Sequence, residues 1–471
     1  MHGSIHVHKW AQKLLFYILL VVLSTHAWEA QAEKPPKLSF HLDKDKRFHL
    51  KLGVEAFARP EWMSNRGDFD SASDDTEFYI VTRLRLKADL SYRKRVGIKF
   101  SLQDSRFLGN GLVNGGKVRF YPDSPHLFTR EVQYGVTFNE SLLYFQWMDG
   151  DLRLELGRLR LVYGDSFFVG DPGFLGPGQS FDGTRLILKA GSLQVDALWL
   201  LVRESVATTK IDGCKGSCYW AGDDLAGLYI QKKWGRSQTD LYGFFYQRAP
   251  RKTDLTAPSR IGFMGARWIL KTKALQASLE GQFQIGQHEG KSLLAGSGRL
   301  YVKYTLPVAL KPFIVVQGLL ATGDSNPDDD NDNNFLALFC NRRKFYGLVN
   351  LFAISNIMQP TLGIGFKPAK TLTALLDARY TWKFTAKGTL FGGGSHRAFV
   401  YDLSGGDETS VGTEINLRIK YNFLPGATLD FGAGAFLPSK ALHRRDSTGK
   451  ILKSFGTDIA YMIFSAFKLK F

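Results

Sequence analysis

The chain has 471 residues, a formal net charge of +17, 48 glycines and 13% aromatic residues. No Pro- or Ser-rich linker divides it, and a mean hydropathy of −0.15 excludes a bundle of membrane helices, since each such helix needs about 20 consecutive apolar residues. The composition favours one large all-β unit. At this hydropathy only an alternating pattern can belong to a membrane protein.

The first residues predict an export signal. Two lysines precede an apolar core at residues 14–23, and the small-x-small sequence AQA ends at Ala32. The alternative is an uncleaved membrane anchor, but the core is only about 10 residues long, whereas a span needs about 20. We therefore expect a cleaved signal peptide at residues 1–32 and a mature unit over residues 33–471.

The mature chain alternates apolar and polar residues with a period of two, which is typical of strands with unlike surroundings on their two faces. The pattern predicts eighteen strands near residues 47–58, 77–92, 95–105, 140–149, 151–161, 182–190, 193–203, 224–235, 238–247, 260–271, 274–286, 297–306, 310–322, 359–368, 371–382, 411–423, 427–437 and 457–471.

In the strand near 151–161 the alternation of Leu with Arg and Glu is interrupted at Gly157. We expect the phase to slip there. The slip would place two leucines on the apolar face and two arginines on the polar face, namely Leu159 with Leu161 and Arg158 with Arg160.

Strand and loop lengths indicate what the apolar face meets. Many predicted strands reach about ten residues, which a tilted strand needs to cross a bilayer, whereas strands of soluble sandwiches are usually about five to six. Short turns alternate with connections of about ten to forty residues. The sequence thus predicts an all-β fold, a transmembrane antiparallel β-barrel of about 18 strands with short periplasmic turns and long extracellular loops, integral to the bacterial outer membrane.

The C-terminus agrees with this prediction. Apolar residues occupy alternate positions from Ile459 to the terminal Phe471, and Lys468 and Lys470 lie on the opposite face. This resembles the closing strand of outer-membrane barrels, whose terminal aromatic residue is read by the barrel assembly machinery. The resemblance implies that machinery, outer-membrane lipid and lipopolysaccharide as partners. We expect a monomer.

Several blocks in the order of the predicted strands resemble the alginate-export family of outer-membrane channels. They are GRLRLVYGD (157–165), SFDGTRL (180–186), TGDSNPDDD (322–330), FYGLVNLFAISNI (345–357) and GIGFKPAKTLT (363–373). The resemblance implies a passive channel, and an alginate-like polyuronate as its solute.

The residues support an anion path independently of the family. If leucines face lipid, the opposite faces line an aqueous lumen, because a barrel of this size is too wide for side chains to fill. Arg and Lys rings are expected in anion pores. The alternative is that these arginines pair with lumen acids as structural ladders. The predicted solute-path residues are Arg83, Arg85, Arg153, Arg158, Arg160, Arg185, Lys189, Arg299, Lys303, Arg379 and Arg418.

The three cysteines suggest one small disulfide. Cys214 and Cys218 are close in sequence, and an oxidising compartment favours their pairing, which leaves Cys340 without a partner cysteine. No His accompanies them, so we expect no metal site and no cofactor.

Two other functions stay open. One is a porin for small anions such as phosphate or organic acids. The other is a membrane-embedded hydrolase using Asp165, Asp171 and Asp182, although Gly and Pro around them indicate turns. No P-loop, GxSxG or HExxH motif occurs, and we expect no nucleic-acid partner.

Overall fold

The computed structural model describes residues 38–471 except 67–68, 73–75, 109–112, 115–116, 119–134, 172, 175, 177, 204–222, 249–256, 327, 393–399, 404–408, 440–441, 446–450 and 455. Over these residues no helix has the length and apolarity needed to cross a bilayer. The predicted signal peptide lies outside the described residues, as do Cys214 and Cys218.

Eighteen strands form the principal sheet. In chain order they are β1 (Phe48–Ser64), β2 (Glu77–Tyr92), β3 (Val96–Leu108), β4 (Gly135–Trp147), β5 (Leu152–Leu159), β6 (Phe181–Ala190), β7 (Leu193–Arg203), β8 (Asp223–Trp234), β9 (Ser237–Arg248), β10 (Ser259–Lys271), β11 (Leu275–His288), β12 (Lys291–Thr305), β13 (Phe313–Ala321), β14 (Ile357–Phe366), β15 (Leu372–Trp382), β16 (Ser410–Leu424), β17 (Ala427–Pro438) and β18 (Ala460–Lys470).

Shorter elements occupy the connections. Two short strands pair with the wall, Ser39–His41 with β1 and Asn331–Asp332 with β12. A five-residue helix spans Arg342–Tyr346, and a 3-10 turn spans Met148–Gly150. The remaining short strands pair among themselves, and they are Val113–Asn114, Lys117–Val118, Leu390–Phe391, Val400–Leu403, Leu442–Arg445 and Ile451–Ser454.

The sheet closes on itself. Each strand pairs antiparallel with the next, and β18 pairs with β1, where Leu469 lies opposite Ala56. Phe471 exchanges backbone hydrogen bonds with Val54, and beyond this point Ser39–His41 continues the pairing along β1. Closure leaves no open edge in the membrane, where unpaired backbone groups are costly. The predicted 18-stranded antiparallel barrel is confirmed.

Burial is inverted relative to a soluble protein. On β2 the side chains of Leu84 and Leu86 are 45% and 47% exposed, while Arg85 between them is fully buried. The same alternation runs round the barrel, with leucines, aromatic rings and other apolar side chains outside. The outer face is therefore the lipid-facing one.

Short turns alternate with longer connections, with one exception. The predicted loop between β11 and β12 is a two-residue turn, with His288 opposite Lys291. Glu289 and Gly290 both have positive φ, of 52° and 89°, and such a turn matches the twist of the paired strands. The polar residues here extend the strands rather than form a loop.

Two long connections fold into the lumen. We name residues 160–180, between β5 and β6, inner segment A, and residues 322–356, between β13 and β14, inner segment B. Phe168 of segment A stacks on Tyr242 of β9, and Phe352 of segment B packs on Phe436 of β17. A buried apolar cluster joins both segments to the wall. The expectation of an aqueous lumen was therefore wrong for the part of the barrel that the two segments occupy, because they form an apolar core there.

The predicted phase slip at Gly157 was also wrong. Register runs unbroken through Gly157, which lies opposite Leu142 of β4 and Gly183 of β6. Leu159 therefore faces inward and is only 1% exposed, since the inner segments give it apolar surroundings. Arg158 faces outward with Leu156.

Candidate solute path

Positive charge on the lumen face gathers around single carboxylates. Glu55 of β1 contacts three cations of β2: Arg83 at 2.7 Å, Arg85 at 3.4 Å and Lys87 at 2.8 Å. Strand alternation places the three at every second position, and pairing of β1 with β2 sets Glu55 directly opposite Arg85. One carboxylate therefore serves three cations.

Glu155 of β5 is shared in the same way. It contacts Arg153 of its own strand at 2.8 Å and Arg185 of β6 at 3.1 Å, and Arg185 is its register partner. The Arg153 guanidinium also lies 3.8 Å from the centre of the Tyr144 ring, a cation–π contact that fixes its direction.

A third shared carboxylate is Asp430 of β17. Arg418 of β16 contacts it through two hydrogen bonds of 2.9 and 2.8 Å, and Lys468 of β18 approaches the same carboxylate at 3.1 Å. We name the groups centred on Glu55, Glu155 and Asp430 the basic clusters.

Exposure separates the two charges within the Glu155 and Asp430 clusters. Arg418 and Lys468 are 47% and 41% exposed, whereas Asp430 is 2% exposed. Arg153 and Arg185 are likewise more exposed than Glu155. In these two clusters the carboxylate lies beneath and the cations project into the lumen. In the Glu55 cluster only Lys87, at 28%, is more exposed than Glu55, at 15%, while Arg83 and Arg85 are buried.

Inner segment A adds one more cation to this surface. Arg160 is one-third exposed and contacts the buried carboxylate of Asp171 at 2.5 Å. Asp171 also lies 3.9 Å from Arg85 and accepts a hydrogen bond from the backbone N–H of Gln179. Segment A is thereby tied to the Glu55 cluster.

A different group lies under the inner segments. Arg267 of β10 contacts Asp240 at 3.2 Å and Glu280 at 3.7 Å, and all three side chains are at most 9% exposed. Tyr229 donates to Asp240 and Tyr242 donates to Glu280. We name Asp240, Arg267 and Glu280 the covered cluster. Here one guanidinium serves two carboxylates, the reverse of the basic clusters.

Arg299 and Arg379 bind the inner segments rather than open space. Arg299 of β12 forms an ion pair with Asp165 of segment A, and its guanidinium lies 4.7 Å from the Phe345 ring. Arg379 of β15 donates to the carbonyl of Phe345 at 3.2 Å. Burial raises the pKa of the Asp165 carboxyl, but Arg299 and Lys344 outweigh burial and hold that pKa below its usual value.

Polar side chains of other strands hold segment B. Gln284 of β11 both donates to and accepts from the backbone of Leu336, at 2.9 and 3.0 Å. Glu414 of β16 accepts a hydrogen bond from the backbone N–H of Val349 at 3.2 Å. Segment B is thus fixed to the wall at two separate places.

Most predicted solute-path residues reach the lumen side, and one does not. Arg158 pairs with Asp182 at 2.6 Å on the outer face, so its assignment to the lumen was wrong. The residues whose side chains lie on the lumen side are Arg83, Arg85, Arg153, Arg160, Arg185, Lys189, Arg299, Lys303, Arg379 and Arg418. Their part in solute passage stays a prediction.

Sequence reasoning missed several participants. Lys468 was recognised as opposite the aromatic column of β18 but not as a path residue, and Glu55 was not noted. Lys344 lies in segment B, where no strand pattern exists to assign a face. The signal that could have found Glu55 is that it shares its strand face with Lys51, Arg59 and Glu61. Cys340 is buried beside Tyr346.

Comparison with known proteins agrees with this architecture. A family model described as alginate export matches residues 48–450. The chain belongs to the alginate-export family. No curated protein matches. This protein is an integral outer-membrane barrel that contacts membrane lipid, and it is a channel.

Solved structures share the fold. Pseudomonas aeruginosa OccK11 is 12% identical with a TM-score of 0.54, covering 93% of this chain and 100% of its own. P. aeruginosa OccK2, solved in complex with glucuronate, is 10% identical with a TM-score of 0.52, covering 89% and 97%. Acinetobacter baumannii OccAB4 is 12% identical with a TM-score of 0.52, covering 89% and 98%.

Proposed function

We propose that this member of the alginate-export family is a passive channel for anionic solutes, with an alginate-like polyuronate as its favoured solute. The observation that carries the proposal is that one carboxylate is shared by two or three cations in each basic cluster, and that at least one of these cations is more exposed than the carboxylate. Such an arrangement leaves a surplus of positive charge at the lumen surface. A low-dielectric wall focuses that surplus and raises the local concentration of anions.

The alternative of structural ladders accounts for only part of this arrangement. In a ladder each cation is matched by one carboxylate, as in the Arg158–Asp182 pair. In the basic clusters each carboxylate contacts more than one cation, and at least one cation of each cluster is more exposed than the carboxylate. An incoming carboxylate could therefore take a guanidinium contact without displacing a native acid completely.

A polymer is favoured over a small anion by the placement of the clusters. They occupy β1–β2, β5–β6 and β16–β18, so several cationic sites are offered to one solute. A linear chain with a carboxylate on each sugar can engage these sites in succession, and each weak contact allows release to the next. The glucuronate bound by OccK2 is a monomer of this chemical class.

The test replaces the two guanidinium groups of the Glu155 cluster. The double variant Arg153→Gln/Arg185→Gln removes two positive charges from the lumen and leaves the lipid face unchanged. In planar bilayers under a KCl gradient, we expect the wild type to prefer chloride and to be blocked by oligouronates. The double variant should lose most of both properties, more strongly at low salt, where screening is weak.

The matched control is Arg158→Gln. It removes a guanidinium only one position beyond Gly157, but from the outer face. We expect chloride preference and block to match the wild type. A wild-type channel that prefers cations would overturn the proposal. Passage of phosphate or acetate without any oligouronate block would instead favour the small-anion porin.

A further inference from the structure

Lys344 is an exposed cation of inner segment B. It lies on the helix Arg342–Tyr346, whose neighbouring Phe345 is fully buried against Phe167 of segment A. Nevertheless the Lys344 side chain is 43% exposed. Because the helix is held between β12 and β15 inside the barrel, the exposed part of this side chain faces the water of the lumen.

Asp165 fixes the position of the Lys344 ammonium. Lys344 Nζ donates to the backbone carbonyl of Asp165 at 2.5 Å and lies 3.6 Å from its carboxylate. That carboxylate is itself paired with Arg299, whose side chain is only 5% exposed. The ammonium is thus tied to segment A, and the acid that holds it is less exposed than the ammonium.

Segment B also reaches the strand that carries part of a basic cluster. A few residues beyond the helix, Leu348 N–H donates to Asn416 of β16 at 3.3 Å. Arg418 of the Asp430 cluster is two positions further along the same face of β16. The cations of the basic clusters therefore lie on the barrel wall, whereas Lys344 lies on a segment inside the same lumen.

We infer that Lys344 is a specificity-determining residue that contacts a polyuronate from the side of the inner segments, with Asp165 as its positioning residue. This inference rests on the proposed function and deepens it. Wall cations alone contact a chain from one side. A cation on an inner segment provides a contact from another side. This second contact increases the affinity for a solute with many carboxylates more than the affinity for a single small anion.

The first test measures block by oligouronates in the inserted channel. Lys344→Gln should weaken block by about tenfold, the loss expected for one charged hydrogen bond. Chloride preference should change much less, because the basic clusters remain. Lys344→Arg should retain block, and Lys311→Gln, in an exposed periplasmic turn, is the control for loss of one lysine.

The Asp165 variants separate position from charge. Asp165→Asn adds one unit of positive charge, so a purely electrostatic role predicts tighter block. A positioning role predicts weaker block together with retained or increased chloride preference, and recovery of block in Asp165→Glu. Weaker block with recovery supports the inference, whereas tighter block overturns the role given to Asp165.

Chemical modification keeps the test independent of folding. Lys344→Cys can be assembled and then treated in the bilayer with a cationic or an anionic methanethiosulfonate, with treated wild type as the control. The cationic reagent should restore block and the anionic reagent should abolish it. Equal block after both reagents, in channels whose wild type is blocked, would overturn the inference. A wild type without block would overturn the proposed function itself.

Discussion

The basic clusters and the covered cluster use the same side chains to opposite effect. Around Glu55 three cations share one carboxylate, while Arg267 alone serves both Asp240 and Glu280. Cations of the Glu155 and Asp430 clusters project into the lumen. The covered cluster lies beneath the inner segments, and so do Arg83 and Arg85, which contact segment A. Whether an arginine on the lumen face is held in a structural ion pair or is available to a solute therefore depends on whether an inner segment covers it.

The difference follows from the inner segments. Where Phe168 and its neighbours pack on β9 and β10, water is excluded, and charges there must be paired and hydrogen-bonded. Where no segment covers the wall, a cation keeps its hydration and needs no matching acid. Ion pairs of the first kind specify structure, and those of the second kind leave charge available to a solute.

The largest expected effect comes from breaking the covered cluster. Arg267→Met leaves two buried carboxylates without their guanidinium and should destabilise the barrel by about 3–5 kcal/mol. Lys468→Met, in the Asp430 cluster, should cost no more than about 1 kcal/mol because the lysine is exposed. Urea unfolding of detergent-folded protein measures both. Equal losses would contradict the distinction between the two kinds of cluster.

The next effect concerns the attachment of segment B. Gly347 has φ of +104°, and a Cβ there would overlap the Glu414 carboxylate. Gly347→Ala should therefore displace the segment and break the Glu414 contact to Val349, costing about 2–4 kcal/mol. We expect larger single-channel conductance in planar bilayers.

Gly191→Ala is the matched control for this variant. Gly191 also has positive φ, +59°, but its Cβ would meet open space. It carries a positive φ without the clash. If both variants conduct alike, overlap with Glu414 is not what holds segment B in place.

The smallest effect is a pH dependence at the start of segment B. Burial raises the pKa of Asp332, but contact with His288 at 2.6 Å and with the Asn334 amide outweighs burial and lowers it overall. A carboxylate whose pKa is lower in the folded protein than in the unfolded protein stabilises the fold at pH values above the unfolded-state pKa. This stabilisation is lost as the pH falls through the folded-state pKa.

Asp332→Asn should therefore destabilise the protein by about 1 kcal/mol at neutral pH, as expected for one partly exposed charged contact. Below the folded-state pKa of Asp332 the variant and the wild type should unfold at the same denaturant concentration. A difference that persists in acid would show that the Asp332 charge is not responsible.

The sequence by itself determined the barrel. Period-two alternation needs only neighbouring residues to be read, and lipid and lumen impose opposite preferences on successive side chains. For this reason the eighteen strands, most of their faces and the closing strand at Phe471 were predictable, as was the family. The wrong predictions occurred where the lumen environment was assumed.

The tertiary structure alone decided what fills the lumen. Leu159 was assigned to lipid because an inward leucine needs an apolar partner, and that partner, segment A, returns from beyond the end of its own strand. Which arginines are covered likewise depends on segment B, whose contacts with β11, β15 and β16 join residues 34 to 68 positions apart. Local periodicity contains no information on such distant contacts, so the solute path had to be located from the folded chain.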